Sequence, residues 1–206
     1  IAYALLNTIA TFEIGDFYGR GEADLSPGIA MQPWLLVWLA PALSMRIWAE
    51  ERRHGTHEAL LIQPVSLTVL ICGKWLAAVG LLTLAMCSTL PLWATVAYLG
   101  QPDHGMIAAG YLGTWMLGSS LLALGSAWSA ATRHQISAFM ATSLTGALLL
   151  LAGHPAVTDL LRDRVPVAVL ESVTDLGGLS HHEALARGVI ALNDIVYFAV
   201  LCLAGL

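Results

Sequence analysis

The side chains that could do chemistry gather at a few places. His54, His57 and Glu58 share one charged interval, His181, His182 and Glu183 a second, and Lys74 and Asp194 stand inside apolar runs. Imidazole and carboxylate suit zinc or copper. Adjacent histidines on a helix point in different directions, however, and neither group has a third and fourth ligand at a fitting spacing, so no metal site is expected. Cys72, Cys87 and Cys202 lie in apolar runs and read as small core residues. No Gly-x-x-x-x-Gly-Lys-[Ser/Thr] run is present to cradle a phosphate, since Gly73-Lys74 lacks the upstream glycine and the following hydroxyl. A Gly-x-Ser-x-Gly nucleophile turn is missing too, so no catalytic residue is expected. Lys74 is expected to snorkel to headgroups. Asp194, like Glu13, is expected near the headgroup boundary in a structural pair.

Composition sets the surroundings of these residues. The 206 residues are 57% hydrophobic and only 11% charged, against about 25% charged in an ordinary soluble domain. With a mean hydropathy of +0.73, the chain cannot coat a water-facing globule and is expected to be an all-α, polytopic membrane helix bundle. Nine basic against fourteen acidic residues, a net −5, argue against nucleic acid as a partner and leave the lipid bilayer as the medium.

Six candidate spans follow from runs of roughly 20 apolar residues bounded by charges or turn formers. Residues 1–14 read as the surviving half of a helix. Residues 29–49 contain Pro33 and Pro41 and predict a kinked helix. Residues 65–99 exceed a bilayer's need, so the crossing is placed at about 75–98 with the first turns protruding. Residues 106–131 and 136–153 form an antiparallel pair across the Arg133-His134-Gln135 turn, and a sixth span starts near residue 189 and reads as trimmed. The whole of 1–206 reads as one membrane domain without a soluble linker. Residues 154–187 are expected to form short helices on the membrane surface. The span 106–131 is rich in Gly, Ser and Ala, which let helices approach closely in lipid.

Orientation follows from the basic residues of short loops. Arg46, Arg52, Arg53, Lys74 and Arg133 face one side with three acids, whereas four basic residues accompany ten acids on the other, giving +2 against −6. The first face is expected to be cytoplasmic and the 154–187 interval extracytoplasmic.

The most informative stretch runs from Met45 to Pro64 on the expected cytoplasmic side. It holds a charge cluster, a Gly55-Thr56 break, and a short helix with Thr56 as cap, Glu58 in the first turn and Gln63-Pro64 as the stop. Two turns are not stable alone, so its apolar side either rests on the membrane or docks into another protein. The run Ala49-Glu-Glu-Arg-Arg-His-Gly-Thr-His-Glu-Ala-Leu-Leu-Ile-Gln-Pro-Val-Ser66, with Gly73-Lys74, closely resembles the signature of type-2 ABC exporter permeases. Pro102-Asp103, Gly110-Tyr-Leu-Gly113, Thr132-Arg-His-Gln135 and Arg187-Gly-Val-Ile190 with Asp194 resemble its gliding-motility branch, called GldF.

That resemblance implies a permease without its own nucleotide site in the bacterial inner membrane. Residues 50–64 would be the coupling helix seated on a cytoplasmic ABC ATPase, which would bind ATP and magnesium. Glu50, Glu51, Arg52, Gly55, Thr56, Glu58, Leu61 and Pro64 match the coupling motif; Lys74, Arg133 and Asp194 are further interfacial candidates. A second permease copy or paralogue and a periplasmic accessory protein are the other implied partners. The function expected is ATP-driven export, and the alternative is a non-transporting complex that transmits force to the accessory protein.

Overall fold

The computed structural model describes residues 2–15, 24–55, 66–162 and 166–206. Those residues hold helices and no strand. α1 (Ala2–Ile9) widens into a π-helical turn at Ala10–Ile14. α2 (Ser26–Ser44) starts where the Asp24 carboxylate accepts from the Ser26 amide and hydroxyl, and it runs unbroken through Pro33 and Pro41. After the turn at 45–48 comes α3 (Ala49–His54), closed by Gly55. α4 (Leu67–Cys87) and α5 (Leu90–Leu99) follow, then α6 (His104–Ala131) and α7 (Gln135–Ala152). Three short helices, α8 (Pro155–Arg162), α9 (Val167–Asp175) and α10 (Gly178–Ala186), precede α11 (Leu192–Gly205).

Among the described residues, four stretches are long and apolar enough to cross a membrane: Ser26–His54, Leu67–Leu99, His104–Ala131 and Gln135–Ala152. Large apolar side chains lie on the outside of these helices as well as in the core. α7 buries Ala138, Thr142, Gly146 and Leu150, four apart along one face, and exposes Ile136, Met140, Leu144 and Leu148 along another. Small groups inside and large apolar groups outside suit a surface solvated by hydrocarbon, where close approach of backbones holds helices together.

α6 is the axle of the bundle, touching α2, α4, α7, α10 and α11. Several of its glycines receive side chains of neighbouring helices. A methyl on Gly110 would stand 2.8 Å from Ile29 of α2, on Gly113 2.9 Å from Leu185 of α10, and on Gly118 2.6 Å from Leu82 of α4. The small-residue stripe is thus consumed in packing within this chain.

The stretch 65–99 contributes one candidate crossing, Leu67–Leu99, but not one continuous helix. It is a helix from Leu67 onward and breaks at Ser88–Thr89. Pro91 lacks the N–H that would bond the carbonyl of Cys87, and its ring crowds that turn. Polar groups at the break are satisfied locally: Thr89 Oγ1 donates to the Met86 carbonyl at 2.7 Å and lies 2.9 Å from the Tyr111 hydroxyl of α6.

The interval 154–187 does form short helices, but α10 is not a surface helix. Leu179, His181, His182 and Leu185 are buried, with Leu185 against Gly113, Gly178 against Leu117 and Gly188 against Met106. The reason is length. At about 1.5 Å per residue, the 18 residues of α7 cannot reach the end of the 28-residue α6. α10 fills the vacated groove, meeting the end of α7 where Gly177 closes on Gly153.

Candidate functional site

The expected coupling segment lies partly within the described residues. Glu50, Glu51, Arg52 and Gly55 are described, whereas Thr56, Glu58, Leu61 and Pro64, with the predicted helix they belong to, lie outside the described residues. The charge cluster is itself a helix, α3, with acids in its first turn and Arg52, Arg53 and His54 in its last, the arrangement the helix dipole favours. Gly55 ends it at φ +69°, a left-handed conformation that glycine adopts without penalty, and its amide donates to the Glu51 carbonyl. Glu50, Arg52 and Arg53 are exposed around it, as is Arg133 in the turn between α6 and α7.

α3 is fastened at its start by two independent fixtures. Ser129 of α6 supplies the first. Its hydroxyl accepts the Trp48 amide at 3.0 Å and the Ala49 amide at 3.1 Å and donates to the Met45 carbonyl at 3.1 Å, using its full hydrogen-bonding capacity. The Trp48 indole adds a bond to Ser126 Oγ at 3.1 Å.

Lys74 of α4 is the second fixture, and here the structure corrects the expectation. Instead of reaching for headgroups, its ammonium donates to the Ile47 carbonyl at 2.8 Å, pairs with the Glu51 carboxylate, and stands 4.4 Å from the centre of the Trp48 ring. About 20% of the side chain is exposed. A cation so enclosed makes better use of a carboxylate, a carbonyl and an indole face than a surface lysine would. α2, α3, α4 and α6 therefore meet in one polar junction, in which α3 is bonded to α4 through Lys74 and to α6 through Ser129.

Asp194 does stand in a pair, and its partner is His181. Only 5% exposed, it is enclosed by the bundle and bonded to His181 Nδ1 at 2.6 Å; Arg187, nearer in sequence, pairs with Glu183 instead at 3.9 Å. His181 and His182 do point apart. His182 Nε2 lies 3.0 Å from Thr114 Oγ1, which donates to Gln32 Oε1 at 2.5 Å. Burial pushes the His182 imidazole down to about 4, so it is neutral and donates to Thr114. Sequence reasoning missed this chain of polar groups across α2, α6 and α10. Its signal was Gln32, a primary amide in an otherwise apolar span.

Long apolar helices wrapped around a small-residue axle, joined by a charged junction at one end, define a multi-pass α-helical membrane protein. The chain belongs to the ABC-2 family transporter proteins, whose family model matches residues 12–171. It is accordingly a permease component of an ABC transporter, and membership implies ABC ATPase subunits as partners. No curated protein and no solved structure matches it.

Proposed function

We propose that this chain is the transmembrane subunit of an ATP-driven exporter in the bacterial inner membrane. Residues 50–64 rest on a cytoplasmic ABC ATPase, with Glu50, Glu51, Arg52, Gly55, Thr56, Glu58, Leu61 and Pro64 forming the contact. Each chain crosses six times and works with a second copy or a paralogue; the ATPase alone holds ATP and magnesium. The observation that carries this reading is the junction of Lys74, Glu51, Trp48 and Ser129, which ties the charged helix to the starts or ends of three long helices. A lever needs a stiff attachment, and partly buried charge-assisted bonds supply one. The excess of basic residues on that face supports a cytoplasmic placement.

The test is ATP hydrolysis and assembly of the co-expressed complex. Glu51→Gln combined with Gly55→Val lowers hydrolysis by about tenfold, equivalent to ~1.4 kcal/mol, or prevents assembly. Unchanged hydrolysis and assembly, or repeated purification of the chain without any ATPase, would refute the proposal. The resemblance to the GldF branch supports a second reading, in which the complex moves no solute and instead transmits force to a periplasmic accessory protein held by the 154–187 interval.

A further inference from the structure

A second ionisable pair stands apart from the coupling junction. His181 and Asp194 are 8% and 5% exposed. His181 Nδ1 lies 2.6 Å from Asp194 Oδ1 and its Nε2 lies 3.0 Å from the backbone carbonyl of Asp175, at the end of α9. The ring stacks on Tyr197 at 4.1 Å between centroids, which fixes its plane. Asp194 Oδ2 is buried and has no hydrogen-bond partner among the described residues, so His181 alone compensates this carboxyl group.

The proton count follows from the partners. A backbone carbonyl only accepts, so Nε2 must hold a proton. The 2.6 Å contact at Nδ1 also needs one, whether on nitrogen facing a carboxylate or on oxygen facing an imine nitrogen. Both contacts together require two protons and leave the pair neutral overall. With one removed, only one of the two can be a hydrogen bond. The charge-assisted bond to Asp194 is the stronger, so the bond to Asp175 is the one lost.

We propose that His181 and Asp194 form a proton-binding site, whose bound proton adds the Asp175 bond to the fastening of the turn between α9 and α10 and whose release loosens that turn. A cavity of about 430 Å³ lined by Asp175, His181, Asn193 and Tyr197 gives the proton a route. The other ionisable groups around the pair are accounted for. From α9 the Asp175 carboxyl faces the same cavity, and from α11 the Tyr197 hydroxyl donates to the Leu176 carbonyl at 2.7 Å. On α10, His182 is turned to Thr114 and Glu183 to Arg187. α6 contributes only His104, bonded to Trp93, and Tyr111, bonded to Thr89, while α2 and α7 contain no ionisable residue.

Hydrogen–deuterium exchange of the purified full chain in lipid nanodiscs, corrected for the intrinsic pH dependence of exchange, tests this. The amides of Leu176 and Gly177, bonded to the Ser172 and Thr174 carbonyls, are expected to exchange severalfold faster as pH is raised and the site loses its proton. Asp194→Asn is expected to exchange slowly throughout. Its amide donates to unprotonated Nδ1 and leaves the Nε2 proton on Asp175, keeping the Asp175 bond without the extra proton. Wild-type exchange that is flat with pH, or an Asp194→Asn variant that follows the wild type, would overturn the proposal. A readout independent of that variant is the imidazole signal of ¹⁵N-histidine-labelled wild type, assigned by its loss in His181→Phe. Two ring N–H signals at low pH and one at high pH, or a single N–H that moves from Nε2 to Nδ1 as pH rises, are expected; a single N–H on the same nitrogen at every pH would overturn the proposal.

Discussion

Lys74 illustrates how a charge in an apolar helix is held. Its partners come from residues 23 to 27 positions earlier, on a different element, so the sequence exposed an unusual cation but not where it points. Asp194 is similar: its type and place marked it, yet its partner is contributed by α10, whose insertion no local pattern announces. Gly55 was legible, because a glycine after a basic helical turn is a stop signal. Gly55→Ala is expected to cost about 1–2 kcal/mol, the penalty for a side chain in the left-handed region, read as lower thermal stability of the purified chain in detergent. His182 makes a pH prediction. Its ordinary value of 6.5 is lowered to about 4 in the fold, so between those values the unfolded chain binds a proton that the folded one refuses. Stability is therefore full above about pH 6.5 and falls as pH drops toward about 4. Melting scans should show His182→Gln losing part of this acid sensitivity, and an identical slope in both proteins would contradict the assignment.

At the scale of elements, the paired spans were the most legible. Residues 106–131 and 136–153 were expected, and α6 and α7 occupy His104–Ala131 and Gln135–Ala152, because long apolar runs with polar ends leave few alternatives. The break at Ser88–Thr89 was signalled by Pro91 but overlooked amid the apolar run. α10 was hidden for a physical reason: a nine-residue helix of mixed polarity buries one side only because α7 ends early beside a longer α6. Two predictions belong here. Ser129→Ala strands the Trp48 and Ala49 amides and the Met45 carbonyl. It is expected to destabilise the chain by about 1–3 kcal/mol and to make the start of α3 exchange faster with deuterium. Gly125→Ala places a methyl 2.1 Å from Ser44 Oγ and 2.7 Å from its Cβ, which only a shift of α2 can relieve. A loss of about 1–3 kcal/mol in denaturant or thermal unfolding is expected.

For the whole molecule, sparse charge sets the architecture. A chain with 11% charged residues leaves large apolar side chains such as Leu84, Ile136, Leu192 and Leu203 on its outside and reserves its polar groups for a few enclosed junctions. One of them, around Lys74 and Ser129, joins the charged helix α3 to three of the long helices, and on it rests the proposal that ATP hydrolysis in a separate subunit drives this bundle. The most direct measurement places a photo-crosslinking amino acid at Arg53, exposed on α3, in living cells and identifies the adduct by mass spectrometry. The account predicts that the captured chain is an ABC ATPase and that a probe at Tyr98, exposed beyond the break in the third apolar stretch, captures none. Capture of lipid alone at Arg53, or of the ATPase only at Tyr98, would contradict it.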